Sequence, residues 1–165
     1  HGLKKHGRGG FTCHICVLRP KSVGSVKLAD ANPNSPPLID PAFLKDERDL
    51  DTMLAGVKQA QQIMQAPSFD AHRGKALYAG ASNDDEELKE DIRNRADTIY
   101  HPVGTCKMGP DSDPNAVVDQ RLRVRGIKSL RVIDASIMPK IVSGNTNAPS
   151  IMIGEKGAHM ILEDA

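Results

Sequence analysis

The sequence predicts an α+β fold in which helices pack on a mixed, mainly antiparallel sheet. Short β-branched and apolar runs occur near both ends of the chain, within 9–30 and within 121–134. The stretch 46–99 between them carries apolar residues at helical spacing instead. Because the resulting order is β-β-α-α-β-β-α rather than a regular βαβ alternation, the pattern favours the α+β class.

The first predicted elements are a β-hairpin within residues 1–30 and a proline-rich connector over 31–45. In the segment 9–30, two apolar runs flank the turn signal Arg19-Pro20-Lys21-Ser22. The segment "ANPNSPPLIDPAF" then contains four prolines. Proline removes a backbone donor and excludes the α region from the residue before it, so we expect an extended connector.

Two helices are predicted within residues 46–99. The first should run over 46–65, where Pro67 ends the apolar pattern. Its apolar stripe is Leu50, Met53, Leu54, Val57 and Met64. The second follows Ser82 or Asn83, either of which can cap free N–H groups, and the acidic run at 84–87 suits the positive end of the helix dipole. Its buried stripe should be Leu88, Ile92, Ala96 and Ile99.

The last third of the chain, residues 100–165, should hold two short strands and a final helix. The strands alternate basic and apolar residues over 121–134 around a turn at Gly126, and a buried strand from Leu130 to Ile133 should close the pair. A helix over 148–163 follows, with Asn147 as its N-cap and Pro149 in its first turn. If Asn147 only caps the helix, this loop has a structural role and needs no ligand.

Composition indicates a soluble globular protein. The 165 residues are 39% hydrophobic and 26% charged, with a formal net charge of +1. Nucleic acid is not expected as a partner, because 22 Lys and Arg are offset by 21 Asp and Glu and aromatic residues make up only 3%. Apolar runs fall far short of a membrane span. No signal peptide is visible, and three sparse cysteines favour a reducing compartment, so we expect a cytoplasmic location, with membrane association of the full-length form left open.

The three cysteines could bind a metal, act as nucleophiles or be inert. Cys13 and Cys16 have CxxC spacing and Cys106 offers a third thiolate, but a structural zinc site needs a second well-spaced ligand pair. A nucleophilic Cys106 would need a nearby base, and its short separation from His101 in sequence is no evidence that the two side chains meet. We therefore expect no metal site and buried, unreactive cysteines.

His101 is the strongest candidate for chemistry. A free imidazole is mostly neutral at pH 7 and can accept a proton, which is what a general base requires. A lone histidine between a helix and a turn is nevertheless more often structural, so its neighbourhood decides. The second informative feature is the helix beginning near Ala148, where free N–H groups and the helix dipole favour a partial negative charge.

The segment "YHPVGTCKMG", together with "RVIDASIMPKIVSGNTNAPSIMIGEKGA" downstream of it, resembles the C-terminal signature of the glucose-methanol-choline (GMC) family of flavin-dependent oxidoreductases. The upstream "CHICVLRPKSVGSVKLA" and "PLIDPAFLKDERDLDTMLAGV" resemble the family's substrate-domain strands and the helix after them. The resemblance covers nearly the whole chain. Within the family, the sequence most resembles the choline dehydrogenase and aliphatic alcohol dehydrogenase branch.

The resemblance implies an oxidoreductase acting on the CH–OH group of a primary alcohol. His101, which opens HPVGT, would remove the hydroxyl proton while the carbinol hydride passes to N5 of FAD. Asn145 matches a position that holds either a second histidine or an asparagine in the family, and it would hydrogen-bond the substrate oxygen. Asp134 and Ala135 match the stretch near the diphosphate and ribityl portion of FAD, and the remaining cofactor-facing positions are Asn147 and Pro149.

One departure from the family pattern is large. The chain has no Gly-x-Gly-x-x-Gly turn, which in this family lies near the N-terminus of a much longer protein. We therefore expect the C-terminal substrate-binding and catalytic portion of a flavoprotein whose N-terminal FAD-binding domain is missing. Alone it should be inactive and should bind FAD weakly or not at all. The open alternative is a non-catalytic α+β interaction module in which the histidine and cysteines are structural; the alcohol and the electron acceptor also stay open.

Overall fold

The computed structural model describes residues 10–165. Its α-helices are α1 (Glu47–Met64), α2 (Asp85–Arg95) and α3 (Asn147–Glu163), and two short strands, β1 (Ser25–Lys27) and β2 (Leu38–Asp40), form an antiparallel sheet. The predicted α+β class is confirmed. Over the described residues, none of the helices has the length and apolar content needed to cross a membrane.

The chain divides into two compact units. Of the described residues, the first unit comprises 10–24 together with 39–99, and the second comprises 25–38 and 100–165. The first unit contains α1 and α2, and the second contains α3 and both sequence motifs that predict function.

The core of the first unit lies between α1 and α2. Leu50 and Leu54 of α1 are buried with Leu88 and Ile92 of α2, and all four residues belong to the predicted apolar stripes. Asp46 caps α1 by accepting a hydrogen bond from the Arg48 N–H at 3.1 Å. The Arg48 side chain also donates to this carboxylate, which holds the pKa of Asp46 at about 2. The predicted bounds of α1 are therefore correct to within one residue.

The N-cap of α2 lies one or two residues later than predicted. Asp84, rather than Ser82 or Asn83, is the N-cap, and its carboxylate accepts from the N–H groups of Glu86 and Glu87. The Ser82 hydroxyl instead accepts from the N–H of Asp84 and donates to Glu87. A carboxylate is the better acceptor at the positive end of a helix, which explains the choice of Asp84.

The end of α2 comes earlier than the apolar stripe suggests. Ala96 has an extended backbone, so helical periodicity stops there and Ile99 lies 47% exposed. Only the first two members of the predicted stripe, Leu88 and Ile92, belong to the core.

The hairpin predicted within residues 1–30 is wrong over the residues described. No strand forms within 10–24, β1 follows at 25–27, and its partner β2 lies inside the predicted connector. The physical reason is a buried carboxylate on α1. Asp49 accepts hydrogen bonds from the N–H groups of Lys21 and Ser22, each at 2.8 Å, so the predicted turn is held by a helix rather than by a strand partner.

The second unit has its own core. Its buried members are Val118, Leu122, Ile137, Met138 and Ile153. The strands predicted over 121–134 are present only as isolated antiparallel bridges, from Val118 to Val124 and from Arg123 to Arg131. Leu130, predicted to be buried, is 45% exposed. Gly126 does turn the chain, with a φ of +77° that favours glycine.

The C-terminal end of α3 is tied to this bridged segment by ion pairs. Asp164, which caps the helix, pairs with Arg121 at 2.8 Å and also with Arg123 and Arg131. The hydrogen bond from Arg123, followed by that from Arg121, lowers the pKa of Asp164 to about 2. Both ends of the segment 121–131 thus meet one carboxylate.

Two glycines of α3 provide a matched test of its packing. A Cβ on buried Gly157 would lie 2.5 Å from Cγ2 of Ile133, whereas a Cβ on Gly154 would have no neighbour within 4 Å among the described residues. Overpacking outweighs the gain in helix propensity, so Gly157→Ala should destabilise the 165-residue chain by about 1 to 2 kcal/mol. Gly154→Ala should instead stabilise it by up to about 1 kcal/mol. Urea denaturation followed by circular dichroism measures both, and equal stabilities would contradict the packing of α3 on Ile133.

Candidate active site

The segment 101–108 begins at the candidate base, His101, and is shaped by an unusual backbone. Tyr100 has a φ of +66° and Gly104 a φ of +90°. At Gly104 a Cβ would also lie 3.3 Å from the carbonyl oxygen of Met138. Glycine is therefore required at the fourth position of HPVGT both by its left-handed backbone and by the close approach of another chain segment.

That other segment is the turn 134–138, whose first two residues, Asp134 and Ala135, lie near FAD according to the family resemblance. The N–H of Cys106 donates to the carbonyl of Ser136 at 3.0 Å, and the N–H of Met108 donates to the carbonyl of Ile137 at 2.8 Å. Two motifs separated by about thirty residues of sequence are thus joined by backbone hydrogen bonds.

Asp134 and Ala135 lie at the start of this turn. Asp134 has an extended backbone and precedes a short 3-10 helix, Ala135–Ile137. Its carboxylate accepts from both the N–H, at 2.7 Å, and the hydroxyl of Ser136. Asp134 is exposed and Ala135 is half-buried. The carboxylate thus fixes the turn while it stays open to solvent or to a ligand.

The third element of the site is the loop before α3. Nδ1 of the half-buried His101 lies 3.0 Å from Oγ1 of Thr146, across 45 residues of sequence. Thr146 is buried, at 8% exposure, and it stands between the exposed residues Asn145 and Asn147. The two asparagines that the sequence singles out are therefore each one residue from the side chain that contacts the candidate base.

The structure also corrects the predicted N-cap of α3. Thr146 is the N-cap, and Asn147, predicted to be the cap, is the first residue of the helix. Thr146 makes no capping bond through its side chain, and its hydroxyl lies instead within hydrogen-bond distance of Nδ1 of His101. Pro149, the third helical residue, has no N–H to offer a cap.

The start of α3 consequently suits a partial negative charge. Its first turn contains no acidic side chain, and the cap hydroxyl does not occupy its N–H groups. Free N–H groups at this end, together with the helix dipole, stabilise negative charge on a neighbouring group. Asn147 is exposed and Pro149 half-buried at this end.

The expectation of buried cysteines is wrong for two of the three. Cys13 and Cys16 are exposed, Cys106 is half-buried, and all three are free thiols. Within residues 10–165, no group of three His, Cys, Asp or Glu side chains is arranged to hold a metal ion.

Sequence reasoning missed Thr146. Its neighbours were selected by resemblance to a family motif, and Asn147 looked like an adequate N-cap. The signal that was present is the proline three residues after Thr146, which removes one of the two N–H groups that a cap hydroxyl ordinarily binds.

The arrangement as a whole offers an imidazole with one nitrogen held by a hydroxyl, which leaves the other nitrogen for proton transfer.

Residues 20–154 match the family model for GMC oxidoreductases. The chain is 52% identical to an alcohol dehydrogenase (acceptor) from Pseudomonas putida over 97% of its own length and 30% of that protein. It is 43% identical to the mitochondrial choline dehydrogenase of Mus musculus over 98% of its own length and 27% of that protein. Among solved structures, an FAD-dependent oxidoreductase from Chaetomium thermophilum superposes with a TM-score of 0.82 and 28% identity, over 89% of this chain and 26% of the other.

These matches share one property. The chain spans less than a third of the length of the curated relatives that it matches.

Proposed function

Since the chain belongs to the GMC oxidoreductase family, we propose that the protein containing it oxidises the CH–OH group of a primary alcohol with FAD. Its similarity to an alcohol dehydrogenase and a choline dehydrogenase supports this reaction class. The observation that carries the proposal is the contact between His101 and Thr146, because it brings the loop containing Asn145 next to the only histidine of the HPVGT motif.

In the proposed reaction His101 is the general base. Its free ring nitrogen accepts the proton of the substrate hydroxyl, which makes the carbinol carbon a better hydride donor. The amide of Asn145 hydrogen-bonds the substrate oxygen and stabilises the negative charge that develops there as the proton leaves. FAD, when bound, supplies the acceptor for the hydride.

The residues present fit the flavin. The uncapped start of α3, at Asn147 and Pro149, favours a group that gains negative charge, as the pyrimidine end of a flavin does on reduction. Asp134 and Ala135, joined through their turn to the His101 segment, are proposed to lie near the diphosphate and ribityl portion. The main cradle for a dinucleotide is not in this sequence, so we propose that an N-terminal FAD-binding domain supplies it.

The proposed substrates are choline-like or aliphatic primary alcohols. A quaternary ammonium is usually held by aromatic faces, and this chain has only two tyrosines and three phenylalanines. A choline site would therefore draw on residues outside this chain, whereas an aliphatic alcohol needs only an apolar pocket.

Anaerobic titration of the full-length protein tests the proposal. We expect a visible flavin band that bleaches on addition of a primary alcohol, with choline, straight-chain alcohols and their tertiary counterparts compared side by side. A tertiary alcohol has no carbinol hydrogen and should leave the band unchanged. Reoxidation by oxygen or by a quinone then identifies the electron acceptor. A protein without a flavin band, or a flavin that no alcohol bleaches, would contradict the proposal.

A further inference from the structure

We propose that Thr146 is a positioning residue that holds His101 in the tautomer protonated at Nδ1, leaving Nε2 as the proton acceptor. This inference rests on the proposed function, in which His101 is the general base. The sequence motifs assign no role to Thr146, and a positioning role explains how a threonine between two asparagines contributes to proton transfer.

The contact has the geometry that such a role needs. Nδ1 of His101 and Oγ1 of Thr146 are 3.0 Å apart, which is an ordinary hydrogen-bond length. Thr146 is 8% exposed and His101 half-buried, so water competes poorly for this bond. A hydrogen bond at one ring nitrogen is the usual way in which a protein sets the tautomer of a histidine and thereby selects the nitrogen that reacts.

The hydroxyl of Thr146 is available because the helix start does not use it. A threonine at an N-cap normally accepts from the second or third N–H of the helix, but the third residue here is Pro149. Its own backbone is fixed independently, because its carbonyl accepts from both the N–H of Ser150, at 3.0 Å, and the Ser150 hydroxyl, at 2.6 Å. The hydroxyl therefore extends from a residue whose backbone is anchored independently of His101.

The direction of the hydrogen bond follows from the chemistry proposed for His101. A hydroxyl can accept from a protonated Nδ1 or donate to a bare one. If Thr146 donated, the neutral ring would carry its proton on Nε2 and could not take another proton there. If Thr146 accepts, the same bond exists in the neutral ring and in the imidazolium, so it persists through proton transfer without rearrangement. Only the accepting arrangement suits a base at Nε2.

The test compares Thr146→Val with Thr146→Ser in the full-length flavoprotein. Valine keeps the shape and removes the acceptor, so kcat per bound flavin should fall roughly tenfold to a hundredfold, the effect of losing a hydrogen bond to a charged group. KM should change much less, because the bond acts on the base. Serine restores the hydroxyl and should retain most of the wild-type kcat. Thr52→Val, which removes an exposed hydroxyl bound to the Arg48 carbonyl on α1, is the matched control and should match wild type.

Two outcomes overturn the inference: wild-type kcat in Thr146→Val, or equal losses in the valine and serine variants, which would indicate that packing rather than the hydroxyl matters. Thr146→Ala, which adds no bulk, replaces the valine variant if the latter does not fold, and the flavin content of each preparation reports folding. His101→Ala separates this inference from the proposed function. If that variant is impaired while Thr146→Val is not, only the positioning role fails; if His101→Ala turns over normally, both fail.

Discussion

Replacing His101 with alanine in the full-length flavoprotein should lower kcat/KM for the alcohol by about 10²- to 10⁴-fold, or about 3 to 5 kcal/mol of barrier. The physical reason is the loss of the proton acceptor, so that the alcohol must lose its proton to water as its hydride leaves. Rapid mixing of the oxidised enzyme with substrate, with the bleaching of the flavin band as the signal, measures this step directly.

The control for this substitution is His159→Ala. His159 lies exposed on α3 with its Nε2 2.9 Å from a carboxylate oxygen of Glu163, so the same chemical change there should leave flavin reduction unaffected. A base role also predicts that added imidazole partly restores the rate of the His101→Ala variant, since the small molecule can fill the vacated space. Turnover of His101→Ala at the wild-type rate would refute the assignment.

Asn145→Ala should have the second largest effect, a loss of kcat on the order of 10²- to 10³-fold, as for removal of one donor to a developing oxyanion. Asn145 is exposed and adjacent to the residue that holds His101, so its amide is free to meet a substrate oxygen. The measurement is kcat with a primary deuterium isotope effect, which should be at least as large as in wild type because the chemical step becomes slower.

Two companion variants sharpen the test of Asn145. A histidine at this position also donates a hydrogen bond, and the family resemblance allows either residue there, so Asn145→His should retain more activity than Asn145→Ala. Asn94→Ala removes an exposed amide that bonds Glu90 on α2 and serves as the control. Wild-type rate together with a wild-type isotope effect in Asn145→Ala would remove this residue from the site.

The helices could be predicted from sequence because their signals are local. Apolar spacing and a following proline define α1, and the spacing of Leu88 and Ile92 defines the buried face of α2. The conformation of the N-terminal segment could not be predicted, because the group that binds its backbone is distant in sequence. The carboxylate of Asp49 accepts from the N–H of Ser22, 27 residues away. Nothing in residues 9–30 themselves indicates that a buried acid on a later helix satisfies their backbone.

In the candidate site, too, local motifs could be recognised from the sequence and contacts between distant residues could not. His101 and Asn145 could be selected from motifs, since their residue types and neighbours follow a family pattern. Thr146 could not, because its role depends on a contact across 45 residues and on a helix start that the sequence assigned to Asn147. Threonine at a helix start is ordinarily a cap, and only the structure shows its hydroxyl bonded elsewhere.

The backbone hydrogen bonds from Cys106 and Met108 to the turn at 136–137 fix the positions of these two residues. They therefore also set the number of residues that can lie between His101 and Cys106. One inserted or deleted residue within 102–105 would displace the imidazole by about 3 Å, the rise of one extended residue. That is several times the ~0.5 Å tolerance of a catalytic constellation. Apart from Gly104, where glycine is required, this short segment should therefore tolerate a change of side chain far better than a change of length.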